Sequence, residues 1–184
     1  SRLHQLKRHY PLIAAILAAL AVYLPFLANP FVYDDFHSLS WNQALRSWDQ
    51  LPALFTDPQR FSSDPAKAMY RPLLLVSYLV SGGSDAAVAY HRLFNLLLHL
   101  GCGGLVYLLA SWLNCRRAAK WAAGLFLLHP TLSEPVFYVC SRSDSLMALC
   151  AGASLWMYAR NRYGWATALA GLAMLSKETA VVLP

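Results

Sequence analysis

The stretch Tyr10–Ala28 reads YPLIAAILAALAVYLPFLA, 19 consecutive residues without a charge. At about 1.5 Å per residue in a helix, this length matches the roughly 30 Å hydrocarbon core of a bilayer. A second uncharged run of 21 residues, Leu93–Leu113, reads LFNLLLHLGCGGLVYLLASWL. Both runs predict helices that span a membrane.

Three shorter uncharged runs follow, with 13, 15 and 14 residues: Trp121–Ser133, Ser145–Ala159 and Tyr163–Ser176. Each is short for a spanning helix, but its ends can extend into the flanking residues. A further apolar run begins at Thr179, so we expect residues 1–184 to be the N-terminal part of a larger protein. The sequence predicts an all-α, polytopic membrane helix bundle with about five spanning helices and the start of a sixth.

The composition supports a protein that is solvated mainly by lipid. Of the 184 residues, 58% are hydrophobic and 13% are charged, against about 45–50% and about 25% in an ordinary globular domain. These proportions exclude a soluble domain and a disordered chain. The four Cys show no C-x-x-C spacing, so neither a zinc site nor a disulfide framework is expected.

The placement of charge predicts the orientation of the helices. The N-terminus and the turns at 114–120 and 160–162 hold 8 of the 15 basic residues and no acid. Because an excess of Lys and Arg in short loops marks the cytoplasmic side, we expect a cytoplasmic N-terminus. All nine Asp and Glu then face outward. The net charge of +6 therefore reflects topology, and no nucleic-acid partner is expected.

Residues 29–85 form the one long extramembrane segment of this topology. Trp41, Leu45 and Trp48 recur at helical spacing, and Ser40 with Gln43 is typical of a capping box. The pattern predicts an amphipathic juxtamembrane helix in the outer headgroup region, or alternatively a helix packed on other outer loops.

The second half of this loop carries clear boundary signals. Asp57-Pro58 and Asp64-Pro65 predict turns. Pro72 predicts the first turn of a short apolar helix that ends at Gly82-Gly83. The next helix is expected to begin with Ser84 as its N-cap and Asp85 in its first turn.

Polar residues from separate segments are predicted to lie at one level, the outer membrane face. They are Asp34, Asp35, Arg71, His129, Glu134, Arg142, Asp144, Lys177 and Glu178. Charged groups at membrane depth are costly and usually mark a cavity or a substrate path. We expect them to share one pocket, in which a carboxylate is a general base and cations bind phosphate.

Each of these groups also has a local explanation. Asp34-Asp35 can be solvated loop acids, and Arg142 can form an ion pair with Asp144 or Glu134. Lys177 and Glu178 can satisfy each other at a helix end. Because neighbouring side chains of an extended segment point apart, only one of the two adjacent aspartates can be the base.

A polar stripe runs along the second predicted spanning helix at i, i+4 and i+8: His91, Asn95 and His99. Hydrogen bonding between helices is the commoner use of such residues, and metal ligation is the alternative. Asp35 and His37 supply two further metal-ligand types without a third. No metal site is expected.

The motifs, taken in chain order, resemble a known family. They are Tyr33-Asp34-Asp35, Tyr70-Arg71-Pro72-Leu73, HRLFNLLLH at 91–99, HPTLSEPV at 129–136, SRSDSL at 141–146 and LSKET at 175–179. This order resembles the N-terminal part of the GT-C superfamily of membrane glycosyltransferases. The likeness is closest to the transmembrane O-mannosyltransferases fused to tetratricopeptide repeats and to their bacterial relatives.

The resemblance implies an inverting transfer of a sugar from a polyprenyl- or dolichyl-phosphate donor to an acceptor hydroxyl of unknown identity. The reaction would take place at the periplasmic or lumenal face, so the host is a bacterial inner membrane or the endoplasmic reticulum. No cofactor is implied. The alternative is a non-catalytic GT-C-like subunit of a larger membrane complex, and whether residues 1–184 are active alone stays open.

The resemblance also implies roles for individual residues. An aspartate of the first outer loop is the base, which carries over to Asp34 with Asp35 as its rival. Arg142 and Lys177, with Arg71 as a weaker candidate, would stabilise the departing phosphate. Two further residues, Glu134 and His129, would order the pocket or hold the sugar.

Overall fold

The computed structural model describes residues 2–113 and 116–182, with side chains from residue 10 to 113 and from 118 to 182. Within these ranges the chain is all-helical and contains no strand. The eight α-helices described are α1 (Arg2–Tyr23), α2 (Leu51–Thr56), α3 (Pro72–Val80), α4 (Val88–Trp112), α5 (Arg116–Leu128), α6 (Glu134–Phe137), α7 (Arg142–Ala159) and α8 (Tyr163–Ser176). Short 3-10 turns and one π-helical turn, Phe36–Ser40, join them.

Helix α4 lies at the centre of the bundle. It packs against α5 on one side and α7 on the other, while α1 packs on α5 and α8 packs on α7. Ala19 and Tyr23 of α1 form a buried cluster with Leu96 and Leu127. The Tyr23 hydroxyl donates to the Leu127 carbonyl at 3.3 Å, which fixes the end of α1 against the end of α5.

One described helix, Val88–Trp112, is long and apolar enough to cross a membrane by itself. The helical stretches Tyr10–Phe26 and Ala118–Leu128 are apolar but shorter. The run predicted at Tyr163–Ser176 forms α8 with those same bounds. The all-α class is thus confirmed, while the polytopic arrangement stays a prediction.

The first predicted span is displaced toward the N-terminus. Helix α1 covers Arg2–Tyr23 and passes into a 3-10 turn, Leu24–Phe26. Pro25 accounts for the change, because proline has no N–H with which to continue the α-helical pattern.

The outer loop folds back on α3 and encloses a second core of Leu39, Leu45, Leu54, Leu74 and Tyr78. The predicted amphipathic helix is broken into 3-10 turns at Gln43–Leu45 and Trp48–Gln50 before α2 begins. Its exposed face is nevertheless aromatic, since Trp41 and Trp48 are both exposed.

The prediction of a capping box at Ser40 and Gln43 was wrong, because Asn42 caps the 3-10 turn Gln43–Leu45 instead. Its side-chain oxygen accepts from the Ala44 N–H at 3.0 Å. Its amide nitrogen donates to the carbonyls of Arg60 at 2.9 Å and Phe61 at 3.2 Å. A single buried asparagine therefore ties the two halves of the outer loop together and ends the helical pattern.

The turns at Asp57 and Asp64 are confirmed, since each carboxylate accepts an N–H two residues on. The helix at Pro72 is also confirmed. Helix α4, however, begins at Val88 with Ala87 as N-cap. The Ser84 N–H donates to the Leu45 carbonyl and Gly83 has a φ of 69°, so this segment is a turn on the outer loop and the predicted Ser84 cap was wrong.

Candidate functional site

A cavity of about 210 Å³ opens where the outer loop meets the first residues of α7 and Lys177, the residue that follows α8. Its charged and polar lining comes from segments far apart in sequence: Asp34, His37, Lys67, Arg71, Tyr138, Asp144 and Lys177. Four of the predicted site residues, Asp34, Arg71, Asp144 and Lys177, thus share one cavity.

Asp34 lies at the turn that follows α1. Tyr33 precedes it with a φ of 46°, a left-handed conformation that is uncommon for a tyrosine. One carboxylate oxygen, Oδ1, lies 2.8 Å from His37 Nε2 and 3.0 Å from Lys67 Nζ. The other oxygen, Oδ2, accepts from the Tyr138 hydroxyl at 3.0 Å. About half of the side chain is exposed (51%), so the carboxylate remains open to a ligand.

These contacts determine the charge of Asp34. The hydrogen bonds from His37, Lys67 and Tyr138 lower its pKa to about 2, because they stabilise the ionised form. At neutral pH, Asp34 is a carboxylate. The Tyr138 hydroxyl is affected in the opposite sense: burial, together with the neighbouring acids, raises its pKa above the ordinary value, so it stays a donor.

His37 connects Asp34 to the outer loop. Its Nδ1 lies 2.9 Å from Ser62 Oγ, while Nε2 lies close to both Asp34 and Lys67, the latter at 2.7 Å. An imidazole nitrogen either donates or accepts. The two Nε2 contacts are therefore alternatives, in which His37 donates to Asp34 or accepts from Lys67.

Asp35 differs from Asp34 in its burial, its hydrogen-bond partners and the direction of its pKa shift. It is fully buried, and its carboxylate accepts from the backbone N–H groups of Cys140 at 2.9 Å and of Val139 and Val32 at 3.4 Å. Burial raises its pKa. It is not part of the cavity lining, and its oxygens are occupied by backbone donors.

Two ion pairs close the side of the cavity nearest α8. Arg71 donates to both carboxylate oxygens of Glu178, at 3.0 and 2.6 Å, and this bond lowers the pKa of Glu178 to about 2. Lys177 Nζ donates to Asp144 Oδ1 at 2.6 Å. Lys177 and Glu178 thus bind different partners, Asp144 in the first turn of α7 and Arg71 before α3. The alternative in which the two residues pair with each other is not what forms.

Arg142 lies outside the cavity lining, contrary to the expectation that it binds phosphate there. It is completely buried. Its Nε donates to Asn95 Oδ1 at 2.6 Å and its Nη2 to the His91 carbonyl at 2.9 Å. Its Nη1 donates to the Ser77 carbonyl at 2.8 Å. The guanidinium is thus buried among oxygens of α3, α4 and the residue that follows α3, Ser81, and it does not face the cavity.

Two other predicted residues also lie elsewhere. His129 is exposed and caps the 3-10 turn Pro130–Ser133, where its Nδ1 accepts from the Thr131 N–H. Glu134 is exposed and accepts from Ser141 Oγ at 3.2 Å. Neither side chain lines the cavity.

The polar stripe of α4 makes hydrogen bonds between segments. His91 bonds Ser81 Oγ at 2.7 Å and the Gly83 carbonyl at 3.0 Å, and His99 bonds the Leu127 carbonyl at 3.2 Å. Among the described residues, no group of three His, Cys, Asp or Glu side chains is placed to hold a metal ion. The contacts favour the hydrogen-bonding alternative for this stripe.

Lys67 and Tyr138 are site residues that the sequence reasoning missed. Tyr138 follows the HPTLSEPV motif by two positions, and Lys67 follows Asp64-Pro65 by two. Proximity to these two motifs was the available signal, but neither residue belongs to a periodic pattern that would point it toward Asp34.

The described part of the chain is thus a helical bundle that contains one helix of membrane length and opens a charged cavity. The chain is 30% identical over 178 residues to protein O-mannosyl-transferase Tmtc1 of Drosophila melanogaster, covering 89% of the chain and 20% of that protein. It is 28% identical to Tmtc2 of Drosophila melanogaster, covering 98% of the chain and 21% of that protein. Human TMTC4 is 33% identical over 65% of the chain and 19% of its own length.

These similarities confirm the resemblance inferred from the motifs: the chain is similar to TMTC protein O-mannosyl-transferases, which are members of the GT-C superfamily. The chain spans about a fifth of the length of these curated relatives. No family model matches the chain, and no solved structure matches it.

Proposed function

We propose that this chain forms the donor and base half of a membrane O-glycosyltransferase that transfers mannose from a polyprenyl- or dolichyl-phosphate carrier to an acceptor hydroxyl. The similarity to protein O-mannosyl-transferases supports the sugar and the reaction class. The observation that carries the proposal is the cavity that a half-exposed, ionised Asp34 shares with three cations, Lys67, Arg71 and Lys177.

Asp34 is the general base of this proposal. The acceptor hydroxyl attacks the anomeric carbon, and its proton passes to Asp34 as the new C–O bond forms. The bond between the anomeric carbon and the phosphate oxygen breaks, and its electron pair stays on the lipid phosphate. A base must lie within hydrogen-bond reach of the proton that it accepts. The half-exposed Asp34 meets this condition, whereas the buried Asp35 does not.

The departing phosphate requires cations that can change partner. Lys67, Arg71 and Lys177 line the cavity, and each of them is paired with a carboxylate in the structure. Exposed ion pairs contribute only about 0–1 kcal/mol. Of the three pairs, the one between Lys67 and Asp34 is roughly half exposed on both sides, so a phosphate that enters the cavity can take over Lys67 at little cost. The side chains of Arg71 and Lys177 are more buried, and a change of partner there costs more.

The proposed setting is a multi-pass membrane protein with a cytoplasmic N-terminus and the cavity on the lumenal or periplasmic face. The uncharged runs and the distribution of Lys and Arg support this topology. The partners would be the lipid-linked sugar, the surrounding lipid, an acceptor yet to be identified, and either other subunits or further parts of the same chain.

The test is Asp34→Asn in the full-length protein, assayed with dolichyl-phosphate mannose as donor. We expect a loss of transfer of at least about 10²-fold, the lower end of what a positioned base contributes, with unchanged membrane insertion. Asp49→Asn is the matched control. It lies in the same outer loop, bonds only its neighbour Ser47 in the described contacts, and should retain transfer. Full activity of the Asp34 variant would contradict its role as base.

A further inference from the structure

The contact between Asp34 and Tyr138 joins two segments that are 104 residues apart in the chain. Asp34 belongs to the segment that leaves α1, here residues 27–35. Tyr138 belongs to the segment between α6 and α7, here residues 137–140. Segment 27–35 is largely irregular, and segment 137–140 runs from the last residue of α6 into the 3-10 turn Val139–Ser141, so their mutual position depends on side chains that bridge them.

Arg92 bridges the two segments from the bundle side. It projects from α4 and is 2% exposed. Its guanidinium donates to the carbonyls of Leu27 at 3.3 Å, of Asn29, and of Pro30 at 2.7 Å. Its Nε donates to the carbonyl of Phe137 at 2.8 Å. One planar group thus holds the end of α1 and the residue next to Tyr138 at the same time.

Asp35 joins the same two segments from within segment 27–35 itself. Its carboxylate accepts from the N–H groups of Val139 and Cys140 in one segment and from that of Val32 in the other. The bonds of Asp35 use backbone donors, while those of Arg92 use backbone acceptors. Asp35 thus satisfies backbone N–H groups of these segments, and Arg92 satisfies their backbone carbonyl groups.

We propose that Arg92 and Asp35 form a clamp that fixes segment 27–35 against segment 137–140, and that both are positioning residues for Asp34. The inference rests on the proposed function for its catalytic meaning. Neither residue touches the cavity; each acts by holding the backbone on which Asp34 and Tyr138 stand. Asp35, the sequence-level rival for the role of base, becomes the residue that aims the base.

The clamp suits this task because its parts are rigid. Arg92 stands on α4, the longest described helix, and a guanidinium presents its donors in a fixed planar fork. A lysine at this position has one nitrogen and cannot reach both segments in the same way. Asparagine at position 35 keeps one acceptor oxygen but turns an N–H donor toward backbone N–H groups.

The test combines structure and kinetics in the full-length protein, in lipid nanodiscs, with Arg92→Lys and Asp35→Asn. Hydrogen exchange is followed in peptides that cover residues 24–38 and 134–142. We expect faster exchange in both peptides for both variants. With dolichyl-phosphate mannose, kcat should fall by about 10²-fold, as for a catalytic group displaced by about 1 Å, while the donor KM changes by less than about twofold.

His99→Gln is the matched control, because His99 is buried in the same helix and bonds only the Leu127 carbonyl among its described hydrogen bonds. It should leave exchange in the two peptides and kcat near the wild-type values. The Asp35→Glu variant, which keeps the carboxylate, should recover part of the lost kcat, whereas a merely space-filling role would not predict this recovery.

The outcomes separate the clamp from the proposed function. Unchanged exchange in both peptides overturns the clamp, whatever the activity. Faster exchange with unchanged kcat overturns the positioning role. Faster exchange in a protein whose wild type transfers no sugar supports the clamp and refutes the proposed function. If Arg92→Lys and Asp35→Asn both fail to fold while His99→Gln folds, the two residues stabilise the whole bundle. That outcome overturns the proposal that they position Asp34 specifically.

Discussion

Replacing Arg142 with methionine tests what a buried cation without a carboxylate partner contributes to the stability of the bundle. Methionine has a similar length but donates no hydrogen bond. The carbonyl of Ser77 keeps a second donor, the Ser81 N–H at 3.2 Å, and Ser81 Oγ keeps His91. Asn95 Oδ1, in contrast, loses its one described donor.

The expected loss follows from these contacts. A buried acceptor left without a donor costs about 1–3 kcal/mol. The guanidinium also lies 4.8 Å from the ring centroid of Tyr78 and 4.7 Å from that of Phe94, contacts that add about 0.5–2 kcal/mol. Release of the buried charge opposes both. We expect a net decrease of about 2 kcal/mol in the free energy of unfolding.

The assay is denaturant titration of the full-length protein in mixed micelles, followed by tryptophan fluorescence. Arg162→Met is the matched control, because it makes the same substitution at an exposed residue directly before α8 and should change stability by less than about 0.5 kcal/mol. Adding Asn95→Leu to Arg142→Met removes the orphaned acceptor and should recover about 1 kcal/mol. The reasoning would be refuted if Arg142→Met left the free energy of unfolding unchanged. It would also be refuted if the double variant lost as much stability as the two single variants together.

Two further predictions concern the cavity and the outer loop. Lys67→Ala removes one of the donors that, after His37, lower the pKa of Asp34 to about 2, so this pKa should rise and the acidic limb of kcat/KM should move to higher pH. An acidic limb at unchanged pH would contradict the contact between Lys67 and Asp34. The same contact affects stability: because the pKa of Asp34 is lower in the folded than in the unfolded state, its ionised form stabilises the fold above about pH 4, and this stabilisation is lost as the pH falls toward 2. Gly83→Ala puts a side chain at a φ of 69° and a Cβ against the Leu45 carbonyl oxygen, and thermal unfolding should show a loss of about 1–3 kcal/mol, whereas Gly164→Ala, in open space, should be tolerated.

The sequence predicts the elements best where covalent geometry decides. Pro72 begins α3 because proline fits a first helical turn, and Gly83 ends the turn that follows α3 because its positive φ suits glycine. Ser84 looks like an equally good cap in isolation. It fails because its N–H is used by the Leu45 carbonyl, a tertiary contact that no local pattern contains.

The site divides along a similar line. Topology alone was enough to expect Asp34 and Lys177 in one cavity, because both lie at helix ends on one predicted face. The direction of each side chain was not accessible. Arg142 begins a helix, as predicted, but its side chain turns into the bundle toward Asn95. Lys67 reaches Asp34 only because the outer loop folds back on itself.

Lys177 and Glu178 are neighbours in the chain, yet they bind partners that belong to different helices, Asp144 and Arg71. The peptide group between them cannot rotate without moving both side chains. A backbone movement at this point therefore shifts both ion pairs, whereas rotation of one side chain breaks one pair and leaves the other in place. A ligand that displaces residues 177–178 as a whole would expose a lysine and an arginine to the cavity together.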